Sequence, residues 1–298
     1  MNEQITLDNS NKIIRGVWFA SELTAIQQLC IKSYMDHGHE FHLYVAGPTR
    51  GVPEGTIVED ANAYVSASER KKFPHNTQAA DLCRILVVLK EGGWYVDLDT
   101  VCLRPFDFPE PYVFVSEDPS KYGKQKSTKI PLTPCLETVT NAVPNNIFKA
   151  PAGSPFLQYI ADRIRSSDTL HPSHWTVFGP DLFMEAIPKF HLEQYITAPV
   201  VLDAANPNEL YHLVDGKVRY DISEKSYAMH FRTSWWSGLL QPSLSAVHHP
   251  DSFFEQLKRK HGISNSGPRY KSLPYYYSQL AGMLGRKSGK LARKLGWA

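Results

Sequence analysis

The chain predicts an α/β fold: a mostly parallel sheet with helices on both faces. Three observations predict it. Strand-like and helix-like segments alternate from the N-terminus, and such alternation implies right-handed βαβ units. The chain has 298 residues and 42% apolar content, enough for one large α/β domain or two small ones with a real core. The run Gly92-Gly93-Trp94-Tyr95-Val96-Asp97-Leu98-Asp99-Thr100 sets two carboxylates at a strand end. In sheets of this kind ligands bind beyond the carboxyl ends of strands.

The elements follow in order. Lys12–Phe19 (KIIRGVWF) reads as a first strand. Thr24–Asp36 reads as a helix with Ile26 and Leu29 among its apolar positions and Gly38 just past its end. Glu40–Val45 (EFHLYV) is a second strand closed by Gly47-Pro48, and Thr56–Glu59 a short third. Asn76–Glu91 repeats Ala80, Leu82, Cys83, Leu86, Val87 and Leu89 at helical spacing and is stopped by Gly92-Gly93. Trp94–Asp97 and Tyr112–Ser116 are the next strands. The Lys- and Pro-rich Pro119–Pro134 reads as a long loop. Ser154-Pro155 is an N-cap and first-turn pair opening a helix to about Ser166. Gly179-Pro180 precedes a helix over Asp181–Ile187, and Tyr227–Phe231 is a late strand.

Charge divides the chain. Residues 1–255 carry 22 basic and 30 acidic residues, whereas from Gln256 onward there are ten basic residues and no acid. The expected organisation is a catalytic domain over 1–262 and a basic tail over 263–298. In the tail Leu280, Met283, Leu284, Leu291, Leu295 and Trp297 alternate with Arg286, Lys287, Lys290, Arg293 and Lys294 at near-helical spacing. A solvated face is one reading; an amphipathic anchor on an anionic membrane surface is the other. Nucleic-acid binding is disfavoured, because the acidic body offers no continuing basic track. Cys30, Cys83, Cys102 and Cys135 have no short paired spacing, which argues against zinc and for buried free thiols in a reducing compartment. Met1–Lys12 is polar, and no run is long and apolar enough to span a membrane. The expected location is the cytoplasm, at the inner face of the membrane.

The chemistry concentrates in the Asp97–Asp99 run. Read as a strand, it sends Asp97 and Asp99 to one side and Val96 and Leu98 to the other. Two carboxylates on one side can chelate a hard divalent cation. Asp81 and Arg84, three apart on the preceding helix, share a face. They are either a surface pair of little worth or, in a helix this apolar, a buried pair beside the ligand.

At Asp81-x-x-Arg84 followed by Gly92-Gly93-x-Tyr95-x-Asp97-x-Asp99, the chain resembles the DXD-motif glycosyltransferases of family 32. Ile13-Ile14-x-x-x-Trp18-Phe19 is similar to that family's first strand. Gln28–Tyr34 and His39–Tyr44 resemble its next helix and strand. Asn145-Asn146 through Gly153-x-Pro155, then Gly179-Pro180 and His230-x-x-x-x-Trp235, resemble its later blocks. The likeness runs over roughly residues 12–240. It implies a GT-A fold, a Rossmann-like nucleotide-binding sheet with Mn²⁺ or Mg²⁺ bridging the donor's diphosphate. It also implies transfer of a hexose from a nucleotide sugar with retained configuration, to a glycan or lipid-linked acceptor of surface polysaccharide synthesis.

By the same resemblance Asp99 is the direct metal ligand, and Asp97 touches the sugar or ribose and the metal's waters. Asp81 and Arg84 orient donor hydroxyls. Trp18 is either plain core or a platform for the base. His230 is either a satisfied histidine or a neutral imidazole ligand for Mn²⁺. Ser234, Trp235 and Trp236 would close over the donor. Asn145 and Asn146 are either a turn or sugar contacts, and Asp181 either a helix-dipole acid or a sugar contact.

Two rivals remain. Val96-Asp97-Leu98-Asp99-Thr100 also resembles the first motif of haloacid-dehalogenase phosphatases, with Asp97 as nucleophile. That motif belongs on a first strand and needs a later acidic pair, and Glu117-Asp118 comes too soon. A non-catalytic membrane-surface binding protein is the other, and the intact Asp-x-Asp speaks against it.

Overall fold

The computed structural model describes residues 9–117, 142–166, 177–205, 212–217, 219, 222–233, 244 and 246–264. Two compact units make up the chain: Met1–Asn208 with Asp221–Phe231, and Glu209–Tyr220 with Arg232–Ala298.

The first unit carries the sheet. A short helix α1 (Asn9–Lys12) leads into β1 (Ile13–Trp18), α2 (Ala25–Asp36), β2 (Glu40–Val45) and β3 (Ile57–Asp60). A short α3 (Ala67–Arg70) precedes α4 (Asn76–Glu91), β4 (Gly93–Val96), β5 (Thr100–Cys102) and β6 (Val113–Phe114). Then follow β7 (Ile147–Ala150), α5 (Pro155–Arg165), α6 (Pro180–Lys189), α7 (Pro199–Leu202) and β8 (Ala228–His230). Six strands form one sheet in the order β3-β2-β1-β4-β7-β6, and β5 pairs with β8 in a second, two-stranded sheet. The pairs β3/β2, β2/β1 and β1/β4 are parallel, while β7 runs antiparallel to both β4 and β6. The fold is thus the expected mostly parallel α/β sheet.

Strand alternation sorts the core onto two faces. Ile14, Trp94 and Val96 join Cys30, Ile31 and Tyr34 of α2 in one cluster. Val17 and Tyr95 join Leu82, Cys83 and Ile85 of α4, with Phe156 of α5 and Phe183 of α6, in the other. Helices therefore cover both faces. The local signals hold at the caps: Gln27 Oε1 accepts from Thr24 N at 2.9 Å at the start of α2, and Ser154 Oγ accepts from Leu157 N at 3.4 Å at the start of α5. The turn from α4 into β4 uses Gly92 and Gly93 at φ 67° and 81°, and a Cβ on Gly92 would sit 2.7 Å from the Ala152 nitrogen. Side chains rarely adopt either condition, so glycine is required there.

One expectation needs correction. The strand does not run through Asp99: β4 ends at Val96, and residues 97–99 form a turn closed by Thr100 N donating to Asp97 O at 3.0 Å. The basic run from Gln256 opens inside a helix. In the second unit Gln256–Lys260 belongs to α8 (Phe253–Lys260), where Lys258 is buried and pairs with Glu255 at 2.5 Å. Glu255 also accepts from His248 N at 2.8 Å, so this end of the run is packed structure. The loop Pro119–Pro134, Cys135, Ser234, Trp235, Trp236 and the segment from residue 265 lie outside the described residues.

Candidate active site

The site forms where β1 and β4, side by side and parallel, reach their carboxyl ends. Leu98 anchors the turn. It is buried in the α2-side core, and a Cβ on Gly16 would lie 2.7 Å from Leu98 Cδ2. Gly16 on β1 thus leaves the space into which Leu98 packs between the two acids. Thr100 adds a side-chain clamp, donating from Oγ1 to Asp97 O at 2.7 Å.

Asp97 keeps the strand's alternation and falls on the Tyr95 side, facing α4. Its Oδ1 accepts from Tyr95 Oη at 2.8 Å and pairs with Arg84 at 3.0 Å. Arg84 lies over the Tyr95 ring, 4.8 Å from its centre, and also pairs with Asp81 at 3.3 Å. Asp81 and Arg84 are 7% and 8% exposed, so theirs is a buried pair and not the surface pair the spacing also allowed. Asn145 closes the group: its Nδ2 donates to Asp81 Oδ1 at 2.9 Å, and its carbonyl accepts from Arg84 at 3.0 Å.

Asp99 faces a different partner. Antiparallel pairing sets His230 of β8 opposite Thr100 of β5, and Phe231 N donates to Asp99 O at 2.8 Å. His230 Nε2 then lies 3.3 Å from Asp99 Oδ1, and Asn146 Nδ2 meets His230 Nδ1 at 3.0 Å. The Asn146 carbonyl accepts from Asp97 N at 2.7 Å. Asn145 and Asn146 are thus bound into the site from the bend that opens β7, Asn145 to Asp81 and Arg84 and Asn146 to His230 and the Asp97 main chain. The doublet was legible only through the family likeness, because the antiparallel insertion of β7 beside β4 has no local signature.

Burial dominates the electrostatics. It pushes Asp81 up to about 6, against the pull of Arg84 and the Asn145 hydrogen bond. It also raises Asp97, opposed by Arg84 and reinforced by the neighbouring Asp99 charge. For Arg84 burial works against the charge, but Asp97, Tyr95 and Asp81 outweigh it and the guanidinium stays protonated. Burial, with Asp99 close by, raises the Cys30 thiol, and Cys30, Cys83 and Cys102 are buried free cysteines.

Of the remaining expected residues, Trp18 and Asp181 are described. Trp18 ends β1 on the same sheet edge, half-buried, with its indole N–H donating to Glu22 O at 3.0 Å. Asp181 is in the first turn of α6, whose capping Gly179 abuts the Asn145 amide. Ser234 and Trp236 fall outside the described residues. Among the described residues no cluster of three or more His, Cys, Asp or Glu forms a ready metal cage, and no helix is long and apolar enough to cross a membrane. A separate cavity of about 310 Å³ is lined by Arg15, His42, Tyr44, Glu59, Tyr64 and Glu91 among others. Its acids are answered locally, His42 to Glu59 and Tyr64 to Glu91, and it shares no residue with the Asp-x-Asp group.

Comparison with known proteins bears on the family likeness and the fold. Residues 27–118 match the family of the glycosyltransferase sugar-binding region containing a DXD motif, a segment that holds Asp81, Arg84, Asp97 and Asp99. A search of curated proteins returns no match. Among solved structures, the bifunctional glycosyltransferase WbbM in its apo form aligns at TM-score 0.51 and 11% identity, over 87% of this chain and 51% of its own. The galactosyltransferase LgtC, solved with donor and acceptor sugar analogues, aligns at 0.42 and 11% identity, over 86% of this chain and 97% of its own. The PaToxG glycosyltransferase aligns at 0.43 and 17% identity, over 60% of this chain and 69% of its own. The fold is a GT-A-type glycosyltransferase fold, and the Asp-x-Asp turn lies within the matched region.

Proposed function

We propose that this chain is a metal-assisted glycosyltransferase that moves a hexose from a nucleotide sugar, UDP-hexose by preference, to a glycan or lipid-linked acceptor with retention of configuration. The observation that carries the reading is the pairing of Asp99 with His230 beside a fixed Asp97, inside a glycosyltransferase sugar-binding region.

The donor set fits a divalent cation. An oxygen and an imidazole nitrogen 3.3 Å apart suit Mn²⁺. Two protein donors are few for a protein-only cage but enough for an ion whose other ligands are waters and substrate phosphate oxygens. Asp99 and His230 would hold it, and when bound it supplies Lewis-acid neutralisation of a diphosphate leaving group. Asp97 has one oxygen committed to Arg84 and Tyr95, so its orientation is fixed before ligand arrives. That preorganisation favours hydrogen bonds to sugar hydroxyls or to metal-bound water. Arg84, paired with Asp81 and Asp97, pulls Asp97 toward its ionised form against the burial that raises it. Trp18, at the adjacent strand end, would flank the base. Asn145, bonded to Asp81, and Asp181, in the first turn of α6, would be the further contacts for sugar. With Asp99 assigned to the cation and Asp97 oriented by Arg84 and Tyr95, no residue is assigned as nucleophile, and the reaction proposed is front-face: the departing phosphate oxygen takes the acceptor hydroxyl's proton.

The acceptor side rests on composition. The basic, leucine-spaced C-terminal segment would hold the acidic body at the inner face of an anionic membrane, where lipid-linked glycans are built.

A panel of nucleotide sugars, each scored for hydrolysis with and without Mn²⁺, tests the reading. One donor should be turned over with Mn²⁺ and not with EDTA, releasing nucleoside diphosphate. Proton NMR of the first transfer product from a UDP-α-hexose should show an α linkage. Release of phosphate from sugar phosphates, with no donor hydrolysed, would replace this reading with the phosphatase.

A further inference from the structure

We infer that Asn146 is a positioning residue that selects which ring nitrogen of His230 is offered to the cation, and that its amide turns over as the cation binds. The inference rests on the proposed metal role of Asp99 and His230.

Three contacts carry it. Asn146 Nδ2 meets His230 Nδ1 at 3.0 Å, while Nε2 points to Asp99 Oδ1 at 3.3 Å. The Asn146 main chain is tied to the Asp-x-Asp turn through Asp97 N at 2.7 Å. Asn146 is 4% exposed, and its Oδ1 is buried with no hydrogen-bond partner among the described residues. A buried acceptor left unpaired costs about 1–3 kcal/mol. The side chain thus holds an unused acceptor beside the one histidine of the site.

Imidazole chemistry explains the use. A neutral ring has one N–H and one lone pair. With Asn146 Nδ2 donating to Nδ1, the proton is on Nε2 and points at Asp99. That arrangement is self-consistent without a cation. A cation on Nε2 needs that lone pair, so the proton must be on Nδ1 instead. The exchange is neutral in protons: Nε2 gives one to solvent and Nδ1 takes one. Nδ1–H then requires an acceptor, and a half-turn of the Asn146 amide presents Oδ1. Asparagine serves both states because donor and acceptor share one planar group. Aspartate would serve only the loaded state, and leucine neither. Because the main chain of the same residue holds Asp97, one residue sets both the acid turn and the histidine.

The test compares wild type, Asn146→Asp and Asn146→Leu. Mn²⁺ affinity is read by electron paramagnetic resonance with UDP present, and the His230 tautomer by ¹⁵N NMR of the metal-free proteins. Loss of an outer-shell partner typically costs about 10–100-fold in metal affinity. Asn146→Leu should lose that much, and Asn146→Asp should bind within a few-fold of wild type or tighter. Metal-free wild type should show Nε2–H, and Asn146→Asp should show Nδ1–H before any metal is added. If Asn146→Leu does not fold, the tautomer and affinity of Asn146→Asp still decide. Wild-type affinity in Asn146→Leu, or an unchanged tautomer with weakened binding in Asn146→Asp, would overturn the inference. If wild type itself binds no Mn²⁺ with UDP, the metal reading fails, while the metal-free spectra still report whether Asn146 sets the tautomer.

Discussion

Arg84→Met is the perturbation that the buried network makes most telling. It keeps the side chain's length and apolar contact with Tyr95 but removes the charge shared by Asp81 and Asp97. Breaking a buried ion pair from one side costs about 3–5 kcal/mol, because the remaining charge is left uncompensated. At about 2–4 °C per kcal/mol for a domain of this size, Tm should fall by about 6–20 °C at pH 8. The sign with pH follows from the raised carboxyls. Asp81 sits at about 6 in the folded protein against an ordinary 3.8, so the folded state binds more protons between those values. Its contribution is therefore a destabilisation, absent below pH 3.8, growing as pH rises, and complete above about pH 6. In wild type this single group costs about 3 kcal/mol at neutral pH. Without Arg84 the folded-state values of Asp81 and Asp97 must climb further, so the variant's deficit should be largest at pH 8 and shrink toward pH 5 as both take up protons. Thermal melts of both proteins at pH 5, 6.5 and 8 provide the assay. A deficit equal at all three values would show that Arg84 acts by packing, and the electrostatic account of the site's floor would be wrong.

Gly16→Val should displace Leu98 and with it the acid turn, cutting Mn²⁺-dependent donor hydrolysis by about tenfold or more while circular dichroism stays near wild type; unchanged hydrolysis would show that the turn does not depend on that space. Deleting residues 271–298 should release the protein from anionic vesicles without changing hydrolysis of a soluble donor, and raised salt should weaken vesicle binding of the full chain. A truncated protein that still sediments with vesicles would remove the anchor.

Much of the fold was legible because its signals are local. The α4 span came from apolar spacing ended by Gly92-Gly93, and α5 from Ser154-Pro155. The parallel β3-β2-β1-β4 half follows from alternation of strands and helices. What escaped depends on distant partners. The strand β5 is three residues long, and its pairing with β8 joins positions some 130 apart in the chain. No periodicity announces it, yet it is what brings His230 to Asp99. Extending strand alternation to Asp99 failed for the same reason, since a turn that bends the chain toward β8 overrides it. Asp97 lies one residue past β4 and still follows Tyr95 onto the α4 face, so alternation holds for it and ends there. The burial of Asp81 and Arg84 was signalled by the apolar helix around them.

The central claim is that Asp99 and His230 hold a divalent cation for the departing diphosphate. The direct measurement is Mn²⁺ titration of donor hydrolysis by wild type and Asp99→Asn, with the best nucleotide sugar from the panel. The account predicts saturable Mn²⁺ activation in wild type. In Asp99→Asn it predicts loss of about 10²-fold or more in turnover, with Tm near wild type. Near-normal turnover by Asp99→Asn, or full wild-type activity in EDTA, would contradict it.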